Sequence, residues 1–208
     1  TTLVTALFAG IIGLILGSVI ALMRLSSFRI GRFYPFRILS TFYVDLIRGT
    51  PVVVQLMIIY HIIMANYFGP KVVVAIISFG INSGAYVSEM VRGGILAIDQ
   101  GQTEAGRSLG LSKSSTMLLI VMPQALKIII PTLFNEFIML LKETSVVGFI
   151  GLMDLTKAGD YIRSRTFSAF FPLIMVALIY YVMITLLTRV FAVVERRLRK
   201  SDQHSSAL

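Results

Sequence analysis

The chain has 208 residues, 56% of them hydrophobic and 14% charged, a balance too apolar for the surface of an ordinary water-soluble domain. It has no cysteine and only two histidines, His61 and His204, which excludes disulfide frameworks, thiol nucleophiles and Cys/His zinc sites. The net charge of +9 would suit nucleic acid, but Lys and Arg gather at the ends of apolar segments, as in membrane anchoring, so a lipid bilayer is the expected partner and nucleic acid is not.

A helix that crosses the hydrocarbon core needs about 20 mostly apolar residues. Five segments meet that length in chain order: Leu3 to Met23; Leu39 to Asn66, including Pro51; Val72 to about Ile98; Ser115 to Val147, with Pro123 and Pro131; and Phe170 to Val194. The expected fold class is all-α, a polytopic membrane protein with about five transmembrane helices in one domain over 1–208. The stretch from Gly148 to Ser168 is too polar to span yet apolar enough to dip into the protein. Within the first span, Gly13 and Gly17 form a GxxxG pair, read as a helix contact inside the chain before a dimer seam.

Lys and Arg accumulate in cytoplasmic loops. Arg24, Arg29, Arg32 and Arg37 mark the first loop as cytoplasmic, and Arg196, Arg197, Arg199 and Lys200 mark the tail. With five spans, both assignments hold if the N-terminus is external and the C-terminus cytoplasmic. The polar segment from Asp99 to Ser114 then faces the cytosol. Its residues from Gln102 to Leu109 are short or charged, and Gly110 is suited to end a helix in the left-handed region. A polar helix over about 99–112, set between two apolar spans, has the character of a docking point.

That segment resembles the EAA loop of ABC importer permeases, whose pattern is Glu-Ala-Ala, three residues, Gly, nine residues, Ile, one residue, Leu-Pro. The matching residues are Glu104, Ala105, Gly106, Gly110, Ile120, Met122 and Pro123, with Gly106 in place of the second Ala and Met122 in place of Leu. The run from Arg48 to Leu56, RGTPVVVQL, is similar to the RGTPLLVQL segment of polar amino acid uptake permeases. So are Ala85 to Ile95, Pro123-Gln124-Ala125 and Lys142-Glu143-Thr144-Ser145. The resemblance implies the type I ABC importer permease fold and a bacterial plasma-membrane location. It also implies a second permease subunit, identical or paralogous, two cytosolic ABC ATPase subunits and an extracytoplasmic amino-acid-binding protein.

The chain carries no GxxxxGK[ST] phosphate loop, so it is expected to be a transport subunit and not an enzyme, with no cofactor of its own. ATP and Mg belong to the partner ATPase. Glu104, Ala105, Gly106, Arg107 and Gly110 are the expected ATPase-coupling residues, through which closure of the ATPase would tilt the third and fourth spans.

Polar side chains at membrane depth are costly and usually face a cavity or a partner. Asn82, Tyr86 and Glu89 stand at i, i+4 and i+7, on one face of the third span. At 1.5 Å per residue they lie roughly 14 to 24 Å from its cytosolic end. The fourth span offers Asn135, Glu136, Met139, Lys142 and Glu143, followed by Thr144 and Ser145, with Asp160 in the external segment. The expected substrate-binding residues are Asn82, Tyr86, Glu89, Asn135, Glu143, Thr144 and Asp160. A structural reading stands beside each: Glu89 paired with Arg92, one of Glu136 and Glu143 paired with Lys142, Asp160 solvated, and Asp45 paired with Arg48. Three carboxylates, Glu89, Glu136 and Glu143, lean the substrate toward a basic L-amino acid. The alternative is an ion-coupled secondary transporter or channel, in which the same carboxylates would be ion sites.

Overall fold

The structure, a computed structural model, describes residues 1–26 and 28–205, with side chains as far as Arg197. Arg199, Lys200 and His204 therefore lie outside the described side chains.

Nine α-helices are described: α1 Thr2–Leu25, α2 Pro35–Arg48, α3 Val52–Ile58, α4 Lys71–Leu96, α5 Gln100–Ser108, α6 Lys113–Thr116, α7 Met122–Glu143, α8 Leu155–Thr166 and α9 Phe170–Ser205. A π-helical turn, Ile59–Ile63, extends α3. Another, Met117–Val121, joins α6 to α7, and a 3-10 segment, Thr144–Ile150, prolongs α7. Four of the resulting rods are long and apolar enough to cross a membrane: α1, α4, the composite Lys113–Ile150, and α9.

The predicted second span is not one straight helix. α2 and the α3 rod meet at 106°. Pro51 has no amide hydrogen and disfavours helical geometry at Thr50, so the helix stops at Arg48 and restarts at Val52. Gln55 closes the corner: its Nε2 donates to the carbonyls of Ile47 at 2.7 Å and Thr50 at 3.0 Å, and to Thr50 Oγ1 at 2.7 Å. Two of the carbonyls at the broken corner, those of Ile47 and Thr50, thereby gain a side-chain donor.

α1 and α4 run side by side in the same direction, with Gly13 beside Ser83 and Gly17 beside Val87. Two parallel helices require a return path between them, and the bent α2–α3 pair provides it, which brings the crossings to five. α1 buries a stripe of small residues, Thr5, Ala6, Ala9, Gly13, Gly17 and Ala21. A Cβ on Gly13 would fall 2.8 Å from Ser83 Cβ, and one on Gly17 would fall 2.6 Å from Val87 Cβ and 2.7 Å from the Gly84 carbonyl. The GxxxG pair thus serves a contact within the chain. Gly17→Val is expected to cost about 3 kcal/mol through overpacking against backbone. Thermal melting of the purified chain in detergent measures it, and an unchanged melting temperature would contradict the α1–α4 contact.

α4 is the central helix. α7 runs antiparallel to it, as Gly94 against Ile129 and Ser83 against Glu136 show. One apolar cluster holds Ala9, Leu56, Ala75, Phe79, Leu140, Val147 and Ile150; the other holds Ile95, Val121, Ala125 and Ile129. The 3-10 segment places Val147 and Ile150 in the first cluster, so the stretch from Gly148 to Ser168 dips into the protein at its start, while α8 buries only Gly159. α8 starts beside α1, where the Leu155 amide donates to Thr2 Oγ1 at 3.3 Å. α8 and α5 therefore lie at opposite ends of the bundle. α9 leans on α7 through Phe191 stacked on Phe134, with ring centroids 4.3 Å apart, and most of its surface is open.

Candidate functional site

The α2–α3 corner faces α4 and the end of α7 across an open cleft of about 370 Å³, lined by Arg48, Thr50, Pro51, Asn82, Tyr86 and Glu143 among others. Three of the predicted substrate residues, Asn82, Tyr86 and Glu143, come together here. Asn82 is 2% exposed. Its Nδ2 donates to Gln55 Oε1 at 2.9 Å, while its Oδ1 is buried and has no hydrogen-bond partner. Gln55 thus holds both the corner and Asn82, a link no spacing rule reveals. The Arg48 guanidinium lies over the Tyr86 ring, 5.4 Å from its centroid. Among the described residues Arg48 forms no ion pair with Asp45; it is 3.8 Å from Glu89 instead.

Glu89 is engaged elsewhere. Its carboxylate accepts from Arg24 at the end of α1, and from Arg92 Nε at 3.0 Å and Nη2 at 2.9 Å. The pairing with Arg92 is the one the i, i+3 spacing offered as the structural reading; Arg24 is an addition from 65 positions away. Glu136, 6% exposed, accepts from the Ser83 hydroxyl at 2.9 Å and borders a separate apolar cavity between α1, α7 and α9. Thr144 is fully buried and donates to the Leu141 carbonyl at 2.8 Å. Asn135 is exposed on α7, and neither residue is among those lining the cleft.

Asp160 lies on α8, held by Arg163 Nη2 at 2.6 Å and Lys157 Nζ at 3.1 Å. Arg163, then Lys157, keeps its carboxyl below the usual carboxylate range. Whatever these contacts contribute is present above the unfolded carboxylate pKa and is lost as pH falls through the lowered folded value. Asp160 is thus paired locally at the surface, in line with the solvated reading, and is not among the residues lining the cleft. Among the described residues no three His, Asp or Glu side chains converge as a metal site requires.

α5 is the predicted polar helix. Asp99 caps it by accepting from the Gly101 amide at 2.7 Å. At its other end the Leu111 amide donates to the Gly106 carbonyl and the Gly110 amide to the Arg107 carbonyl, with Gly110 at φ +84°. That pair of bonds is a Schellman stop, for which Gly is the favoured residue. Glu104, Ala105 and Arg107 are exposed, and Leu109 is 82% exposed. Gly106 faces inward: a Cβ there would come within 2.8 Å of Thr116 Cγ2 and Ile120 Cδ1. Its small size lets α5 press onto the start of the Lys113–Ile150 rod.

Apolar helices around a polar cleft, with a rigid capped helix displayed at one end, define a multi-pass membrane permease component. The model of binding-protein-dependent transport system inner membrane components matches residues 9–200, and the chain belongs to that family. An arginine transport system permease protein of Bacillus subtilis is 40% identical over 97% of this chain and 90% of its own length. An L-cystine transport system permease protein of the same organism is 37% identical over 95% of this chain and 83% of its own. A crystal structure of an amino acid ABC transporter with histidines superposes with a TM-score of 0.86 at 41% identity, covering 94% of this chain and 90% of that one. The fold is that of ABC importer permeases, and these findings favour the permease reading over the ion-coupled alternative.

Proposed function

We propose that the chain forms half of the membrane pathway of an ATP-driven importer of polar L-amino acids, basic ones included, and that the Arg48–Asn82–Tyr86–Glu143 cleft receives the substrate. The observation that carries this reading is that Arg48 and Glu143 line one cleft together with Asn82 and Tyr86, so groups of both charges share its wall. Arg48 suits an α-carboxylate, and Glu143 suits an α-ammonium. The lean toward basic substrates rested on three carboxylates, and two of them, Glu89 and Glu136, are engaged outside the cleft. What this half-site reads is the zwitterionic head shared by all α-amino acids, with tolerance for a cationic side chain.

In this reading the exposed face of α5, with Glu104, Ala105, Arg107 and Leu109, docks in a cytosolic ATPase, while Gly106 and Gly110 set the helix's seat and end. The α5 end of the bundle is cytoplasmic and the α8 end meets an extracytoplasmic binding protein, so the N-terminus is external. The ATP and Mg of the cycle belong to the ATPase pair, and a second permease subunit completes the pathway. Amino acid analysis of ligand co-purified with the assembled transporter tests the substrate class. Expected is a polar α-amino acid bound in proportion to the permease. Uptake into liposomes by the chain alone on an ion gradient would overturn the proposal.

A further inference from the structure

Away from the substrate cleft, a cavity of about 380 Å³ opens where the C-terminal ends of α1 and α4 meet the start of α2. Its lining is mainly polar: Arg24, Ser26, Tyr34, Arg37 and Arg92, with Leu25 and Leu96 at its edge. Three guanidinium groups share this wall against one carboxylate. Glu89 accepts from Arg24 and Arg92, and Arg37 forms no ion pair among the described residues. Arg37 thus leaves positive charge in a concave site that an anion can enter.

The surroundings say which kind. Phe28, Ile30 and Phe33 on the connecting segment and Phe36 in the first turn of α2 are all exposed, as is Leu22 on the last turns of α1. Aromatic rings beside cations are the side-chain mixture found at the depth of lipid head groups. In water these rings would be an unfavourable rim for a soluble-anion site; against a bilayer they meet acyl chains while the guanidinium groups meet phosphate. Basic pockets between helix ends are suited to anionic head groups, and the planar fork of Arg pairs with phosphate through two parallel bonds.

We propose that this cavity binds the phosphodiester head group of an anionic phospholipid, with Arg37 as the principal contact and Arg24, Arg92 and the Tyr34 hydroxyl around it. The lipid would tie together the ends of α1, α2 and α4 beside the Glu89 cluster. The proposal does not depend on the substrate assigned to the cleft.

Native mass spectrometry of the full chain assembled with its partner subunits tests it, with phosphatidylglycerol titrated against phosphatidylcholine of the same acyl chains. Expected is preferential retention of phosphatidylglycerol, weakened roughly tenfold by Arg37→Gln through loss of a charge-assisted contact. Arg165→Gln, an equal charge loss on α8 at the opposite end of the bundle, should weaken it by no more than about twofold, as for a distant exposed charge. Equal retention of both lipids, or equal losses in both variants, would overturn the proposal. Competition by glycerol 3-phosphate at concentrations comparable to the lipid would instead make this a soluble-anion site and would overturn it too. If Arg37→Gln does not assemble, Tyr34→Phe and the lipid comparison on the unmodified chain decide the same question.

Discussion

Replacing Glu143 with Gln is expected to reduce apparent substrate affinity roughly thirtyfold, about 2 kcal/mol, while the transporter still assembles. The substitution keeps the side chain's volume and removes its charge. Glu143 is half-buried at the last turn of α7, lines the cleft with Asn82 and Tyr86, and stands next to Lys142 in sequence. A charge-assisted bond from a substrate ammonium is stronger than a neutral one, and its loss falls on binding. The effect should appear as a raised half-saturation concentration for uptake in proteoliposomes, with basal ATP hydrolysis by the proposed ATPase subunits unaltered. Glu143→Asp, which keeps the charge but shortens the side chain, should recover part of the affinity. Unchanged uptake by the Gln variant would move the binding site away from this cleft.

How much of this cleft was legible in the sequence depends on where each partner lies. Asn82, Tyr86 and Glu143 stood out because polar groups inside apolar runs need a physical reason. Glu89 stood out for the same reason, and its i, i+3 neighbour Arg92 was visible too. Its contact with Arg24 was not, because the α1–α4 register that brings them together follows from the Gly13 and Gly17 seam. The small residues announced close packing but not against which helix. The α2–α3 corner was hidden for a different reason: hydropathy runs through Pro51 as though the span were continuous. The role of Gln55, a polar side chain inside Val52–Ile58, shows only in the fold, where it bonds to the carbonyls of Ile47 and Thr50.

α5 was the most legible element because its ends are written in local chemistry. Asp99 and Gly110 cap it as their residue types allow, and neither needs a distant partner. Gly106 was legible as a small residue, while the identity of its neighbours, Thr116 and Ile120, required the fold. Sequence therefore exposes groups that are anomalous in their own neighbourhood, and tertiary structure decides which anomalies are spent on packing. By that measure Glu136, bonded to Ser83 between two helices, and Thr144, bonded one turn back, are packing solutions in this structure.

Glu89→Gln is expected to act on stability before it acts on transport. Arg24 and Arg92 both bond to this carboxylate and Arg48 approaches it, joining the ends of α1, α2 and α4 through one charge. The Glu89 side chain is 22% exposed, so water screens the cluster only in part. Removing the shared anion leaves three guanidinium groups facing one another, and the expected cost is about 3 kcal/mol, the low end for a broken buried pair. A lowered melting temperature in detergent measures it. The Arg24→Gln variant should cost less, because Glu89 retains Arg92. In the double variant the two costs should not add, since the interaction each removes is the same one. If instead Glu89 were a substrate ligand, the Gln variant would melt normally and lose affinity alone. Additive costs for the Arg24 and Glu89 variants would show that the ion pair between α1 and α4 contributes nothing, and the hub would then reduce to the local Glu89–Arg92 contact.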